Sequence, residues 1–259
     1  MAHPISILAV GGVDPTGHAG LAADLRAGAA LNALVSPVVT ALTVQDSRGL
    51  YRIQAVDADL LRQQIGVVRR GPLAAVKIGM LPGLDQARAV AEALAGYAGP
   101  VVIDPVLAAS AGGDLAGAGV AEALPSLFAP LAALLTPNLL EAAALLKGSV
   151  PGDAESMKEA GAALRGLGFR AVLMKGGHLD GPRAPDFLSD QGEGLWIEGP
   201  RLDTPNTRGT GCILATLIAV LLGQGQPLRL ACVGAKNALV ILLRKNALYR
   251  WPQGAGPIL

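Results

Sequence analysis

A chain of 259 residues with 34 glycines, 18 prolines and only 3% aromatics is built from small side chains, yet 51% of it is hydrophobic. A net charge of +1 with this apolar content excludes a disordered chain, the glycines keep no three-residue collagen period, and no basic stripe points to nucleic acid. The longest apolar stretch, 213–222, falls well short of the ~18 residues of a membrane span, and the length suits one α/β domain over 1–259. Met1-Ala2-His3-Pro4 has no basic leader region, and the two cysteines, Cys212 and Cys232, are expected as free thiols. Both features read as a soluble cytoplasmic protein.

In chain order, the run 5–10 reads as a strand and 21–34 as a helix. Strand 38–44, helix 58–69, strand 75–80 and helix 85–95 follow. Then come strand 101–104, helix 120–128, strand 132–136, helices 139–146 and 154–167, and strand 171–175. These apolar runs lack the alternation of half-exposed strands, which suits a parallel sheet covered on both faces. The strand–helix order predicts a doubly wound α/β sandwich. Segment 186–198 is punctuated by glycine and fits a short antiparallel pair at one sheet edge. Two apolar helices, 212–223 and 227–248, follow it.

Ligands of doubly wound sheets sit beyond the carboxyl ends of the strands. The residues there are Gly11-Gly12-Val13-Asp14, Gln45-Asp46, Leu81-Pro82, Pro105-Val106, Pro137-Asn138 and Gly176-Gly177-His178. The sharpest feature is Asn206-Thr207-Arg208-Gly209-Thr210-Gly211-Cys212, directly before an apolar helix. A Gly-Thr-Gly turn opening a helix aims backbone N–H groups and the positive end of the helix dipole at one spot, a place for a phosphate. Cys212 would fall in the first turn, where the thiolate is favoured. An ordinary loop-to-helix junction with a packed cysteine fits the turn alone equally well.

Neither G-x-x-x-x-G-K-[ST] nor a well-placed G-x-G-x-x-G is present, so a P-loop NTPase and a Rossmann dehydrogenase are not indicated. The loop 11–20 is glycine-rich and opens a helix, with Asp24 one turn in; tight turn geometry also accounts for it. Asn138 and Glu141 form an N-x-x-E pattern, read as a helix cap or as a carboxylate near a metal–phosphate group. Asp104 before Pro105 is a turn residue or a metal carboxylate. Lys175 closes an apolar strand, so its ammonium is expected in a cleft facing an anion. His3, His18 and His178 are too scattered for a metal site.

Together these residues resemble the ribokinase-like superfamily, and within it the hydroxymethylpyrimidine/phosphomethylpyrimidine kinases of thiamine biosynthesis. The likeness runs over nearly the whole chain. It includes Gly12-Val13-Asp14-Pro15-Thr16-Gly17, Ala19-Gly20-Leu21, Ala23-Asp24, Thr43-Val44-Gln45-Asp46 and Lys77-Ile78-Gly79-Met80. It continues through Asp104-Pro105-Val106, Thr136-Pro137-Asn138 with Glu141, Lys175-Gly176-Gly177-His178 and the 206–212 turn.

The resemblance implies a ribokinase-like three-layer sandwich, ATP and Mg²⁺ as cofactors, and a homodimer. It implies a catalytic anion hole at Gly209, Thr210, Gly211 and Cys212, with Cys212 where sugar kinases place an Asp base. It puts the substrate ring near Gly12, Ala19, Asp24, Thr43, Gln45 and Met80. Asn138, Lys175, Gly177 and Lys236 would lie along ATP, and Asp104 and Glu141 in the Mg²⁺ shell. Gln45 suits its role, because an amide offers the donor and acceptor that an aminopyrimidine edge requires.

The expected substrate is the small molecule 4-amino-5-hydroxymethyl-2-methylpyrimidine, followed by its monophosphate. Departures from the family pattern are the lysine missing near Ser110, Arg208 in place of His, His18 in place of Gly, and a chain end at 259 short of the usual tail. Other readings are a pyridoxal kinase with the same Cys, a sugar kinase, which the missing Asp at 212 disfavours, and a non-catalytic ligand-binding relative. No aromatic residue lies in the ring motifs, so recognition is expected from edge hydrogen bonds and small walls such as Ala19 and Met80.

Overall fold

The computed structural model describes residues 4–109, 112–249, 251 and 256. Its strands are β1 (Ser6–Val13), β2 (Leu34–Gln45), β3 (Leu50–Ala55), β4 (Ala75–Ile78), β5 (Val101–Ile103), β6 (Leu134–Leu135), β7 (Val172–Met174), β8 (Asp186–Ser189) and β9 (Leu195–Ile197). They form one sheet in the order β3-β2-β1-β4-β5-β6-β7-β8-β9. From β2 to β7 all pairings are parallel, while β3 at one edge and β8 and β9 at the other run antiparallel.

Both faces are covered, which is why the strands read as unbroken apolar runs. Successive side chains point to opposite faces. Leu8 and Val10 meet α2 (Ala58–Val68), α3 (Leu84–Ala93), α4 (Val120–Phe128), α5 (Leu139–Leu146) and α6 (Ala154–Gly166). Ile7 and Ala9 meet α1 (Gly20–Ala30), α7 (Thr210–Gly223) and α8 (Leu228–Asn246). Residues 212–221 of α7 are all buried. A helix hydrophobic all round belongs inside, and α7 lies between the sheet and its neighbours α1 and α8.

The sandwich and its edge pair match expectation, with two differences near the amino terminus. The first helix ends at Ala30, and Leu34 already belongs to β2. β2 continues to Gln45 and turns back as β3, a strand the sequence reading omits. This ribbon is half exposed: Leu42 and Val44 are 54% exposed and Tyr51 63%. No residue of β3 is buried, so a search for buried apolar runs passes over it.

From β1 the chain steps outward to β2 and returns on the other side at β4. This is a topological switch point, where a crevice opens beyond the carboxyl ends of the strands. β1 pairs Gly11 with Val39 and Gly12 with Ala41, a register shift that bends the strand end at the crevice. Among the described residues no helix is long and apolar enough to cross a membrane.

Candidate active site

The ends of β1, β2 and β4 meet the start of α7. Gly209 caps α7 at a φ of 78°, and a Cβ there would run into the His18 carbonyl. Glycine alone lets the turn lie so close to the 14–20 loop. Asp14 holds that loop by accepting from the Thr16 N–H at 2.9 Å, the Thr16 hydroxyl at 2.7 Å and the Ala19 N–H at 3.1 Å. Arg208 donates to the Asp46 carbonyl and lies 3.4 Å from the Asp14 carboxylate. Thr43 donates to the Val13 carbonyl at 2.9 Å and accepts from the Gln45 amide at 2.9 Å. Met80 packs on Gly12, its Sδ 2.6 Å from where a Cβ would stand. These contacts bring Gly12, Ala19, Thr43, Gln45 and Met80 to one end of the sheet beside the 209–212 turn.

On the other side of the turn, β5, β6 and β7 end in a charged cluster. Lys175 Nζ lies 2.6 Å from Asp104 and 3.6 Å from Glu141. The Thr136 hydroxyl donates to Asp104 at 3.4 Å. Gly211 roofs the cluster: a Cβ there would stand 3.2 Å from Lys175 Nζ and 3.6 Å from Asp104. Asn138 and Glu141 do form a capping box, with the Asn138 N–H donating to Glu141 at 2.7 Å and the Glu141 N–H to Asn138 at 2.9 Å. One carboxylate thus serves both readings.

Burial pushes the Glu141 carboxyl up to about 7, with Lys175 opposing and Asp104 adding to the rise. One ammonium between two buried carboxylates leaves negative charge over. Mg²⁺ is bound by one or two carboxylates, with water and phosphate completing its shell, so this donor set fits it. Among the described residues no three His, Cys, Asp or Glu side chains gather as a metal cage.

Several expected residues sit differently. Asp24 does not face the ring; it is wholly buried, with both carboxylate oxygens 2.9 Å from Lys77 Nζ and one accepting from Thr216 at 2.8 Å. The Lys236 ammonium is engaged by the Ala184 carbonyl and Asp186, each at 2.7 Å, instead of standing free for a phosphate. Asp186 in turn accepts from the Gly176 N–H at 3.0 Å, so Lys236 supports the 176–177 loop at one remove. The Gly177 carbonyl accepts from Arg201 at 3.0 Å. For Cys212, burial overrides the helix end and pushes the thiol up to about 12, with Lys77 pulling the other way. An aromatic ring does approach the loop: Trp251 lies 5.6 Å from His18, centroid to centroid. Ser110 lies outside the described residues.

Asp14 stands in the strand-end loop that the sequence points to, whereas Lys77, Asp186 and Thr216 support the site without having been assigned a role from the sequence. Only Lys77 carried a signal, the same one as Lys175: a lysine inside an apolar strand.

A ribokinase-like sheet whose switch point joins an amide-lined helix start to a lysine and two carboxylates defines a small-molecule kinase. The sequence model described as phosphomethylpyrimidine kinase matches residues 14–258, and the chain belongs to this family. It is 35% identical to the hydroxymethylpyrimidine/phosphomethylpyrimidine kinase of Rhizobium meliloti, over 97% of this chain and 95% of that protein. The crystal structure of phosphomethylpyrimidine kinase from Clostridium difficile 630 superimposes with a TM-score of 0.79 at 30% identity, covering 92% of this chain and 98% of that one. An ADP complex of Bacillus subtilis pyridoxal kinase gives 0.88 at 28% identity, covering 98% and 97%. The chain is a phosphotransferase of thiamine biosynthesis.

Proposed function

We propose that this chain, acting as one kinase unit, transfers the γ-phosphoryl group of ATP to the hydroxyl of 4-amino-5-hydroxymethyl-2-methylpyrimidine and then to the resulting monophosphate. The observation that carries this reading is the double contact of one turn. Gly209 touches the acceptor loop at His18, and Gly211 roofs Lys175 and Asp104. Acceptor and phosphate donor therefore meet across three residues. ATP as donor is supported by the ADP complex of the Bacillus relative.

Phosphoryl transfer requires mainly positioning and charge stabilisation. Lys175 would face the phosphates, and the first amides of α7 would hold the charge that develops on the transferred group. Asp104 and Glu141 would hold Mg²⁺, which supplies charge neutralisation to the triphosphate when bound. Gln45 would read the aminopyrimidine edge, and Gly12, Ala19 and Met80 would wall the ring. Cys212, a thiol at rest, is poorly suited to accept a proton. We assign it to holding the hydroxymethyl group, with the proton lost late in transfer.

Leu42, Val44 and Tyr51 on the β2–β3 ribbon are exposed large apolar side chains, and a second copy of the chain is their proposed cover. Two free, buried thiols fit a reducing cytoplasm.

ADP release tests the reading, with the hydroxymethylpyrimidine, its monophosphate and pyridoxal offered separately. Turnover of the first two supports it. Turnover of pyridoxal alone would favour the second reading, a pyridoxal kinase, which the fit to the Bacillus structure keeps open.

A further inference from the structure

Beneath the ends of β1 and β4 lies a buried ion pair. Lys77 on β4 is 1% exposed and Asp24 on α1 is 0% exposed. The ammonium lies 2.9 Å from each Asp24 oxygen, and the Thr216 hydroxyl on α7 donates to the same carboxylate at 2.8 Å. Their surroundings are apolar: Ile7, Ala9, Leu21, Ala23, Leu217 and Ala75 share that core. A buried pair in such a place is often no more stabilising than well-packed apolar side chains of the same volume, so folding alone is a weak reason for it.

Its position is more telling. The three elements it ties each end at the site. α1 follows the 14–20 loop, β4 leads into Gly79-Met80, and α7 opens with the 209–212 turn. Thr216 lies four residues after Cys212, on the same face of α7 and one turn deeper. Gly79 keeps space over the ammonium, since a Cβ there would stand 2.8 Å from Lys77 Nζ. Burial raises the Cys212 thiol most, Lys77 pulls it down, and Asp24 and Asp104 add to the rise, so both ends of the pair act on the first turn of α7.

We propose that Lys77, held by Asp24 and Thr216, is a positioning residue for phosphoryl transfer: the buried ion pair fixes the first turn of α7 against α1 and β4. This rests on the kinase reading above. Such a group acts on the transferred phosphoryl in the transition state and not on ground-state binding, so it governs kcat and leaves KM alone.

The test compares the full chain with D24N/K77M, which replaces the pair by neutral side chains of similar size, and with T216V and T216S. D24N/K77M is expected to lose about 100-fold in kcat, the scale of a small displacement of catalytic groups, with KM for ATP and for the pyrimidine within about twofold of wild type. T216V should lose roughly tenfold, the worth of one hydrogen bond to a charged group, and T216S should regain it. T216V keeps the test decisive even if the double variant does not fold. Full kcat in folded T216V and D24N/K77M, or KM values that rise in step with lost activity, would overturn the inference alone. A wild-type chain inactive on the pyrimidine and its monophosphate would overturn the kinase reading and this inference with it.

Discussion

Two buried charge clusters flank the first turn of α7, and they differ in one respect. Asp24–Lys77 balances one charge with one and is sealed. Lys175 sits between Asp104 and Glu141, 13% of its side chain is open, and the charges do not cancel. Burial works against both lysine charges, yet Asp24 in one case and Asp104 with Glu141 in the other hold them above the ordinary lysine value. Burial, with Asp104 adding and Lys175 opposing, pushes the Glu141 carboxyl of the open cluster up to about 7. A sealed, balanced pair is structure placed behind a site. An open, unbalanced cluster is where the proposed function puts the cation and phosphate.

The largest effect that tests this contrast is on stability. Asp24→Ala leaves Lys77 as an unpaired buried charge and should cost about 3–5 kcal/mol, read by urea unfolding. Glu141→Gln should cost far less, because it removes an uncompensated charge. Equal losses would erase the distinction. Next comes activity: Lys175→Met should lower kcat by ~10²–10³, the scale of a lost charge-stabilising donor, while the protein stays folded. Cys212→Ala should cost about tenfold, as for a hydrogen-bonding group. A drop of ~10²–10⁴ would restore it as the general base.

A specificity effect of similar size is expected on the acceptor side. Gln45→Leu should raise KM for the pyrimidine about tenfold by leaving ring polar atoms unpaired, with KM for ATP unchanged. Unchanged pyrimidine affinity would rule out edge recognition by that amide. The last effect is a pH slope. In the folded, metal-free chain Glu141 holds its proton up to about 7, whereas the unfolded chain releases it near the ordinary 4.5. The folded state therefore binds more protons in that window, and stability falls as pH rises from about 4.5 through 7. Melting temperatures across this range should slope downward in wild type and flatten in Glu141→Gln.

Much of this molecule could be read from its residues. β1, β4, β5 and β7 are short apolar runs because both faces are covered, and that signal survives without an alignment. Gly209, Gly211 and Lys175 stood out because a glycine turn before an apolar helix and a lysine ending an apolar strand are local features. β3 escaped because half-exposed ribbon strands resemble loops. Asp24 is expected at the substrate ring and not in a buried ion pair, because its partner Lys77 lies 53 residues away on another element. The same holds for Lys236, whose ties to Ala184 and Asp186 run from α8 to the far edge of the sheet. Nor does the residue type Cys212 reveal that its thiol is desolvated. Burial is a property of the assembled layers, and it outweighs the helix end.

The all-round burial of α7 has a consequence for catalysis. A helix gripped on every side cannot slide or rotate without opening gaps in close-packed neighbours. Its amide-bearing end is thus set before substrate arrives, and little reorganisation energy remains to be supplied as charge moves during transfer. Whatever adjusts to admit each successive acceptor must belong to the periphery, the 14–20 loop and the β2–β3 ribbon, while the axle of the machine stays still.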